Sequence, residues 1–349
     1  LLLTNPLDIA AVNNSPYRIL NGDRMQANFY NVTINDINYN DTILDTTNRA
    51  FWSLYCSRND PYLFFGTLHT TDSRFSNIHL NGSRMISTSS KNLNSTNFCG
   101  ISLQIERSSF SDFSSIGDGQ IIYSNSSRVS GQDSTSIFLH IKESSFQNIS
   151  GGNGSIYFGE RLYNNLLIRL MDSVFENIDI SKANGGIINV QNKDTKVFVQ
   201  DSTSNIRRLD TQTADDVSPK ETIEIFLCEF SDISAMNGGI FYNSYSNPNY
   251  TISLSNNNYF SDVHTSAWGA ILFTQVANIS INGNTFSNTN AAIGGSIVYA
   301  NKTNFDPTNF WVDNTLVGGQ ETNVLLPITL APNTFDIELI IDAPIEKIE

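Results

Sequence analysis

Read from one end to the other, the chain alternates short runs in which every second residue is apolar with polar stretches rich in Asn, Ser and Thr. A period of two marks a strand with one buried face. A phrase of four residues, Phe-x-Asx-apolar with Asx either Asn or Asp, punctuates these runs. It stands at Phe29, Phe75, Phe110, Phe146, Phe175, Phe230 and Phe260, and at Phe286 with Thr289 replacing the apolar residue. Seven and five residues before the Phe come apolar pairs: Leu103/Ile105, Leu139/Ile141, Ile168/Leu170, Ile223/Ile225 and Ile279/Ile281. About nine residues after it comes glycine, at Gly119, Gly154, Gly186, Gly239, Gly269 and Gly295, and a second apolar run follows at once.

The Phe residues are 46, 35, 36, 29, 55, 30 and 26 positions apart. The gap of 55 predicts a degenerate copy over Val197–Ile206, with Thr203 in place of Phe. A unit of two or three short strands without a helix predicts one coil of a parallel β-solenoid. The expected fold is all-β, a right-handed parallel β-helix of about 9–11 coils. Equivalent side chains then stack at about 4.8 Å into columns along the axis. The expected columns are Phe75, Phe110, Phe146, Phe175, Phe230, Phe260 and Phe286 inside, and Asn77, Asp112, Asn148, Asn177, Asp232, Asp262 and Asn288 at a turn. Asn tolerates the left-handed backbone of sharp turns and can bond its neighbours. By the same register Asn148 is expected to be buried. The repeats are assigned to 61–333, an irregular segment or first coils to 1–60, and a strand-like extension to 334–349.

Composition narrows the function classes. There are 20 Lys+Arg against 34 Asp+Glu, a net charge of −14, so no basic face for nucleic acid is expected. The polarity comes instead from 44 Asn, 42 Ser and 27 Thr. No apolar run is long enough for a membrane-spanning helix. The chain opens on Leu1-Leu2-Leu3 rather than Met, which suggests a processed or truncated piece. Eleven Asn-x-Ser/Thr sequons occur, close to the number that such a composition produces anyway. Asn94, Asn125, Asn249, Asn278 and Asn301 are the expected carriers of N-linked glycans, because they fall in or beside loops. Of the three cysteines, Cys56 and Cys99 are the expected disulfide pair, since Cys228 lies within a strand-like run.

Phe-x-x-Asn together with Gly-Gly followed by an apolar residue resembles the passenger repeats of chlamydial polymorphic outer membrane proteins, over about Phe29 to Val298. Asn-rich β-helix surface proteins of protists are similar. The resemblance implies a pectin-lyase-like β-helix and a surface adhesin.

Chemistry is harder to find. Asp232 and Asp262, equivalent positions 30 residues apart, are the best carboxylate pair for glycoside hydrolysis or a weak cation site, but they obey the ladder rather than break it. Arg207-Arg208 with Asp215-Asp216 reads as a surface pair. The histidines, His69, His79, His140 and His264, are scattered with no Ser or Cys in a matching arrangement, and His140 is expected to be exposed. No catalytic residue, metal or cofactor is assigned. The expected function is that of an extracellular structural or adhesive glycoprotein module at the cell surface, associating with itself or other fibre proteins into a filament. The alternative is a polysaccharide-degrading or carbohydrate-binding β-helix.

Overall fold

A computed structural model describes residues 2–3, 20–23, 26–40, 50–56, 64–81, 84–90, 98–115, 121–126, 134–160, 166–191, 198–200, 206–208, 221–300, 310–317, 324–329 and 336–341. The sequence alternation becomes three parallel faces that the chain visits in rotation, the arrangement of a parallel β-helix. The first face runs from Gln26–Tyr30 through Phe64–Thr71, Phe98–Glu106, Ser134–Lys142, Leu166–Met171 and Glu221–Phe226 to Trp311–Val312. The second is a nine-stranded sheet from Thr33–Asn40 to Thr315–Val317 and carries the Phe-x-Asx phrase. The third runs from Leu20–Asp23 and Ala50–Cys56 to Val298–Ala300, behind the glycines. Among the described residues no helix is long and apolar enough to cross a membrane.

The interior is built column by column. Phe75, Phe110, Phe146, Phe175, Phe230, Phe260 and Phe286 stack face to face, with centroids 4.7, 4.8, 5.2, 4.9, 4.9 and 5.0 Å apart. The apolar pairs occupy adjoining columns of the first face, with Leu103, Leu139, Ile168 and Ile223 in one and Ile105, Ile141, Leu170 and Ile225 in the next. Behind the glycines Ile121, Ile156, Ile187, Ile240, Ile271 and Ile297 are all buried.

Three sequence assignments are corrected by the register. Phe29 belongs to the first face, level with Thr70, and Ile34 takes the Phe column beside Phe75. The first coil therefore reads Ile34-Asn35-Asp36-Ile37, and an aliphatic residue hid it. Phe29 instead stacks on Trp52 at 4.6 Å, and Trp52 meets Phe75 edge-on at 5.6 Å. The stretch Val197–Ile206 is no coil. Val174–Asn184 pairs directly with Glu229–Asn237, while Phe198–Gln200 and Ile206–Arg208 form a small antiparallel ribbon of their own. The phrase there has no Phe and no glycine–apolar sequel, so nothing commits it to a rung. In the C-terminal extension, Asp336–Ile341 is a strand that pairs antiparallel with Val324–Thr329. Finally, the turn column of Asn and Asp lies on the outside. Asn148 is exposed, its Nδ2 donating to Asp112 at 2.9 Å.

That outer column has a backbone cause. Asp36, Asn77, Asp112, Asn148, Asn177, Asp232, Asp262 and Asn288 all have φ between 51° and 59°, the left-handed region that Asn and Asp tolerate best. A second left-handed column, three residues before the Phe, forms the corner between the first two faces: Asn31, Asp72, Arg107, Glu143, Asp172, Leu227, Asn257, Gly283 and Asp313. Leu227 is the misfit, at φ 56° and 45% exposed. A left-handed residue with an ordinary side chain is disfavoured by roughly 1–2 kcal/mol, and Asn less so. Leu227→Asn should therefore stabilise the protein by about 1 kcal/mol in denaturant unfolding.

Glycine repeats on the third corner for the same reason. Gly154, Gly185, Gly238, Gly269 and Gly295 have φ of 62°, 69°, 58°, 63° and 71°. The register thus aligns Gly154 with Gly185 and Gly238, one residue ahead of the spacing-based set. Coil lengths differ mainly between the third face and the first: Phe241–Ser255 and Leu272–Asn282 each run through both faces as one strand, whereas Gln191 and Glu221 are 30 positions apart.

Candidate functional site

Three places gather polar side chains. The first is inside the corner, two residues before each Phe: Val32, Ser73, Ser108, Ser144, Ser173, Cys228, Asn258, Asn284 and Asn314. Each backbone N–H donates to the side chain one rung on. Val32 reaches Ser73 at 3.1 Å, Ser73 reaches Ser108 at 3.2 Å, and Ser108 and Ser144 reach Ser144 and Ser173 at 3.1 Å. Beyond Cys228 the relay continues in Asn: Cys228 to Asn258 at 2.9 Å, Asn258 to Asn284 at 3.2 Å and Asn284 to Asn314 at 2.9 Å. This buried polar column escaped the sequence reading, which placed the amide ladder four residues later. Its signal is the small polar residue before the strand, present in every copy after the first.

Cys228 is a rung of this column. Its thiol donates to the Phe226 carbonyl at 3.4 Å and accepts from the Ser173 N–H, and burial pushes its pKa up to about 12. A thiol so protonated is a poor nucleophile. Cys228→Ser keeps both bonds and should change stability by less than about 1 kcal/mol, whereas Cys228→Ala leaves a buried N–H unpaired and should cost about 1–3 kcal/mol in thermal or denaturant melts. Cys56 ends the strand Ala50–Cys56 on the third face, and Cys99 lies on Phe98–Glu106 of the first. Their side chains, and with them the expected disulfide, lie outside the described residues.

The second place is the outside of the same corner, a shallow groove of about 520 Å³ spanning four coils between Asp72 and Asp172. Arg107 donates to Asp72 through Nε at 2.7 Å and a terminal nitrogen at 3.1 Å, and this hydrogen bond holds the Asp72 carboxyl below its usual range. Lys142 pairs with Glu143 at 3.0 Å. On the adjoining first face Arg169 is clamped by Glu224 at 2.7 and 2.6 Å. His140, in line with Arg169, is half-buried rather than exposed, because its ring lies along the stack between Gln104 and Arg169. Burial first, then the Arg169 charge, lower its pKa.

The third place is the outer surface of the second face. Asp232 and Asp262 occupy the same column on neighbouring rungs, with Asn288 Nδ2 donating to Asp262. Among the described residues no three His, Cys, Asp or Glu gather as a metal site. One histidine does meet a serine here, contrary to the sequence reading: His79 Nδ1 lies 2.6 Å from Ser114 Oγ. The two residues are 35 apart in sequence, and only the stacking of coils joins them.

Of the expected glycan carriers, Asn278 is exposed on the first face. Asn125 and Asn249 lie on the strands Ile122–Ser126 and Phe241–Ser255, with side chains outside the described residues. Asn94, Asn301 and the pair Asp215-Asp216 also lie outside them. Compared with protein-family models, curated proteins and solved structures, the chain has no match, so what it does has to be argued from these columns alone.

Proposed function

We propose that this protein is an extracellular structural or adhesive module, a rigid glycosylated rod at the cell surface that associates with further copies or other fibre proteins. The observation that carries this reading is the repeat along the second face. Eight of its rungs repeat the left-handed Asp or Asn, and seven of them keep the stacked Phe. Three of its carboxylates, Asp112, Asp232 and Asp262, stand in that repeat. The best carboxylate pair, Asp232 and Asp262, serves the ladder, where a glycosidase would set its acids across a cleft at about 5 or 6.5–9.5 Å.

Association is favoured by an asymmetry between the ends of the coil stack. On the first rung Ala27, Phe29, Val32, Ile34 and Ile37 are buried, whereas on the last Trp311 and Leu316 are only half-buried and Val317 is 45% exposed. Among the described residues Thr315–Val317 is also the edge of its sheet, a ladder to which a further strand can add. Negative-stain microscopy with light scattering over a concentration series tests the reading. Fibres, or rods that lengthen with concentration and revert in Leu316→Lys, are expected. Single rods about 40 Å long at every concentration would exclude self-assembly, and cleavage of a polysaccharide would exclude the structural reading itself.

A further inference from the structure

The His79–Ser114 contact is one link of a longer relay. Asp36, Asn77 and His79 lie on two neighbouring rungs of the second face, and Ser114 lies on the next. Asn77 Nδ2 donates to the Asp36 carboxylate, His79 Nε2 lies 3.1 Å from Asn77 Oδ1, and His79 Nδ1 lies 2.6 Å from Ser114 Oγ. A carboxylate only accepts, so Asp36 turns the amide nitrogen of Asn77 towards itself and its oxygen towards His79. The same direction recurs where Asn148 donates to Asp112 and Asn288 to Asp262. An amide oxygen also only accepts, so the neutral imidazole carries its proton on Nε2. Nδ1 is then a bare lone pair, and the Ser114 hydroxyl donates to it. The order of donors, fixed from Asp36 onward, polarises one serine with one base.

We propose that Ser114 is a nucleophilic serine, with His79 as its general base and Asn77 and Asp36 as positioning residues, acting in acyl transfer from a carboxylic ester laid on the outer face. Ser114 Oγ bonds to the ester carbonyl carbon while its proton passes to His79 Nδ1. The imidazolium is held by Asn77 Oδ1. Collapse breaks the bond to the alkoxide, which leaves as the alcohol with that proton, and the acyl group remains on Ser114. Attack by water, deprotonated by the same Nδ1, returns the serine and releases the acid. His79 and Ser114 are both partly exposed, so an ester can reach them without an opening step. The charged groups facing His79 from the adjoining column are Asp36 and, one rung on, Asp112.

A fluorophosphonate probe tests this directly, since its phosphorus bonds to the serine oxygen and fluoride departs with the proton. Ser150 is the internal standard: it follows Ser114 in the same column but has Ser114 and Asp179 beside it, not a histidine. Mass spectrometry of the labelled peptides from the intact chain should show Ser114 modified at least about 100-fold faster than Ser150. The rate should fall to that of Ser150 in His79→Gln. Asp36→Asn lets Asn77 turn over and should slow the labelling of Ser114 but not that of Ser150. Equal labelling of Ser114 and Ser150, an undiminished rate in His79→Gln, or an undiminished rate in Asp36→Asn would overturn the assignment. The first comparison is made within one folded chain, so misfolding cannot imitate it, and the labelling of Ser150 reports the fold of each variant.

Discussion

Gly186→Ala is expected to tear the coil stack at the junction of Val174–Asn184 with Glu229–Asn237. A Cβ on Gly186 would lie 1.7 Å from the carbonyl oxygen of Gly239, a backbone atom that cannot swing away. The backbone of Gly186 is not left-handed, so conformational entropy alone would make this substitution stabilising by about 0.4–1 kcal/mol. Contact reverses the sign. The column runs Ser155, Gly186, Gly239 and Ala270, so it admits a Cβ one rung before Gly186 and two rungs after it. What differs is a bulge: Ile180 and Asn184 pair with Ala235 and Asn237, four residues against two, and the longer strand arrives displaced at Gly186. We expect a loss above about 4 kcal/mol, the range of severe single-residue effects. Gly283→Ala is the matched comparison, because it meets nothing within 4 Å and carries only the left-handed strain of φ 67°, about 1–2 kcal/mol. Each coil touches mainly its neighbours, so damage in a solenoid stays local. Hydrogen exchange should therefore show lost protection in these two strands first, with Phe98–Glu106 and Ser134–Lys142 retained. Equal stability of the Gly186→Ala and Gly283→Ala proteins would contradict the contact.

The periodicity of Phe, of the apolar pairs and of glycine was enough to read the architecture, because each of these columns needs one residue type: an aromatic volume, a β-branched or aliphatic filler, a backbone free of Cβ. Phe29 misled because coil one satisfies the aromatic column with Ile34, while Trp52 supplies the missing volume from the third face. The outer Asn and Asp were legible as a ladder but not as exposed, since the left-handed φ that selects them also turns their side chains outward. Asn is abundant because several columns use it. Asn258, Asn284 and Asn314 bond inside the first corner, and Asn77, Asn148, Asn177 and Asn288 line the outer ladder. Asn153, Asn184 and Asn237 precede the corner glycines, Asn184 N–H donating to Asn153 Oδ1 at 2.7 Å and Asn237 Nδ2 to Asn184 Oδ1 at 2.8 Å. The relay from Asp36 to Ser114 could not be read at all. Its members share no local motif, and which rung follows which depends on loop lengths that the phrase does not fix.

Phe146→Ala is expected to cost about 3–5 kcal/mol, the usual result of emptying a large aromatic site in a packed core. Phe146 is fully buried and lies between Phe110, at 4.8 Å, and Phe175, at 5.2 Å, with both neighbours within 6° of parallel. Two offset stacks are lost together, each worth about 0.5–1.5 kcal/mol beyond area. The surrounding wall is strand backbone fixed by the rungs on either side, so it cannot collapse into the space. Phe286→Ala should cost less, because its outer neighbour is the half-buried Trp311, at 5.4 Å, on the last rung, where the structure has room to relax. Denaturant unfolding followed by hydrogen exchange on Ser109–Ser115, Ser145–Ser150 and Val174–Asn184 measures the difference. A loss at Phe146 no larger than at Phe286 would mean that the aromatic column is not what holds adjacent coils together. Cohesion would then rest on the buried polar column of Ser108, Ser144 and Ser173, whose N–H relay crosses the same rungs a few ångströms away. Ser144→Ala would become the decisive variant, since it removes the acceptor of the Ser108 N–H and the donor to the Lys142 carbonyl at once.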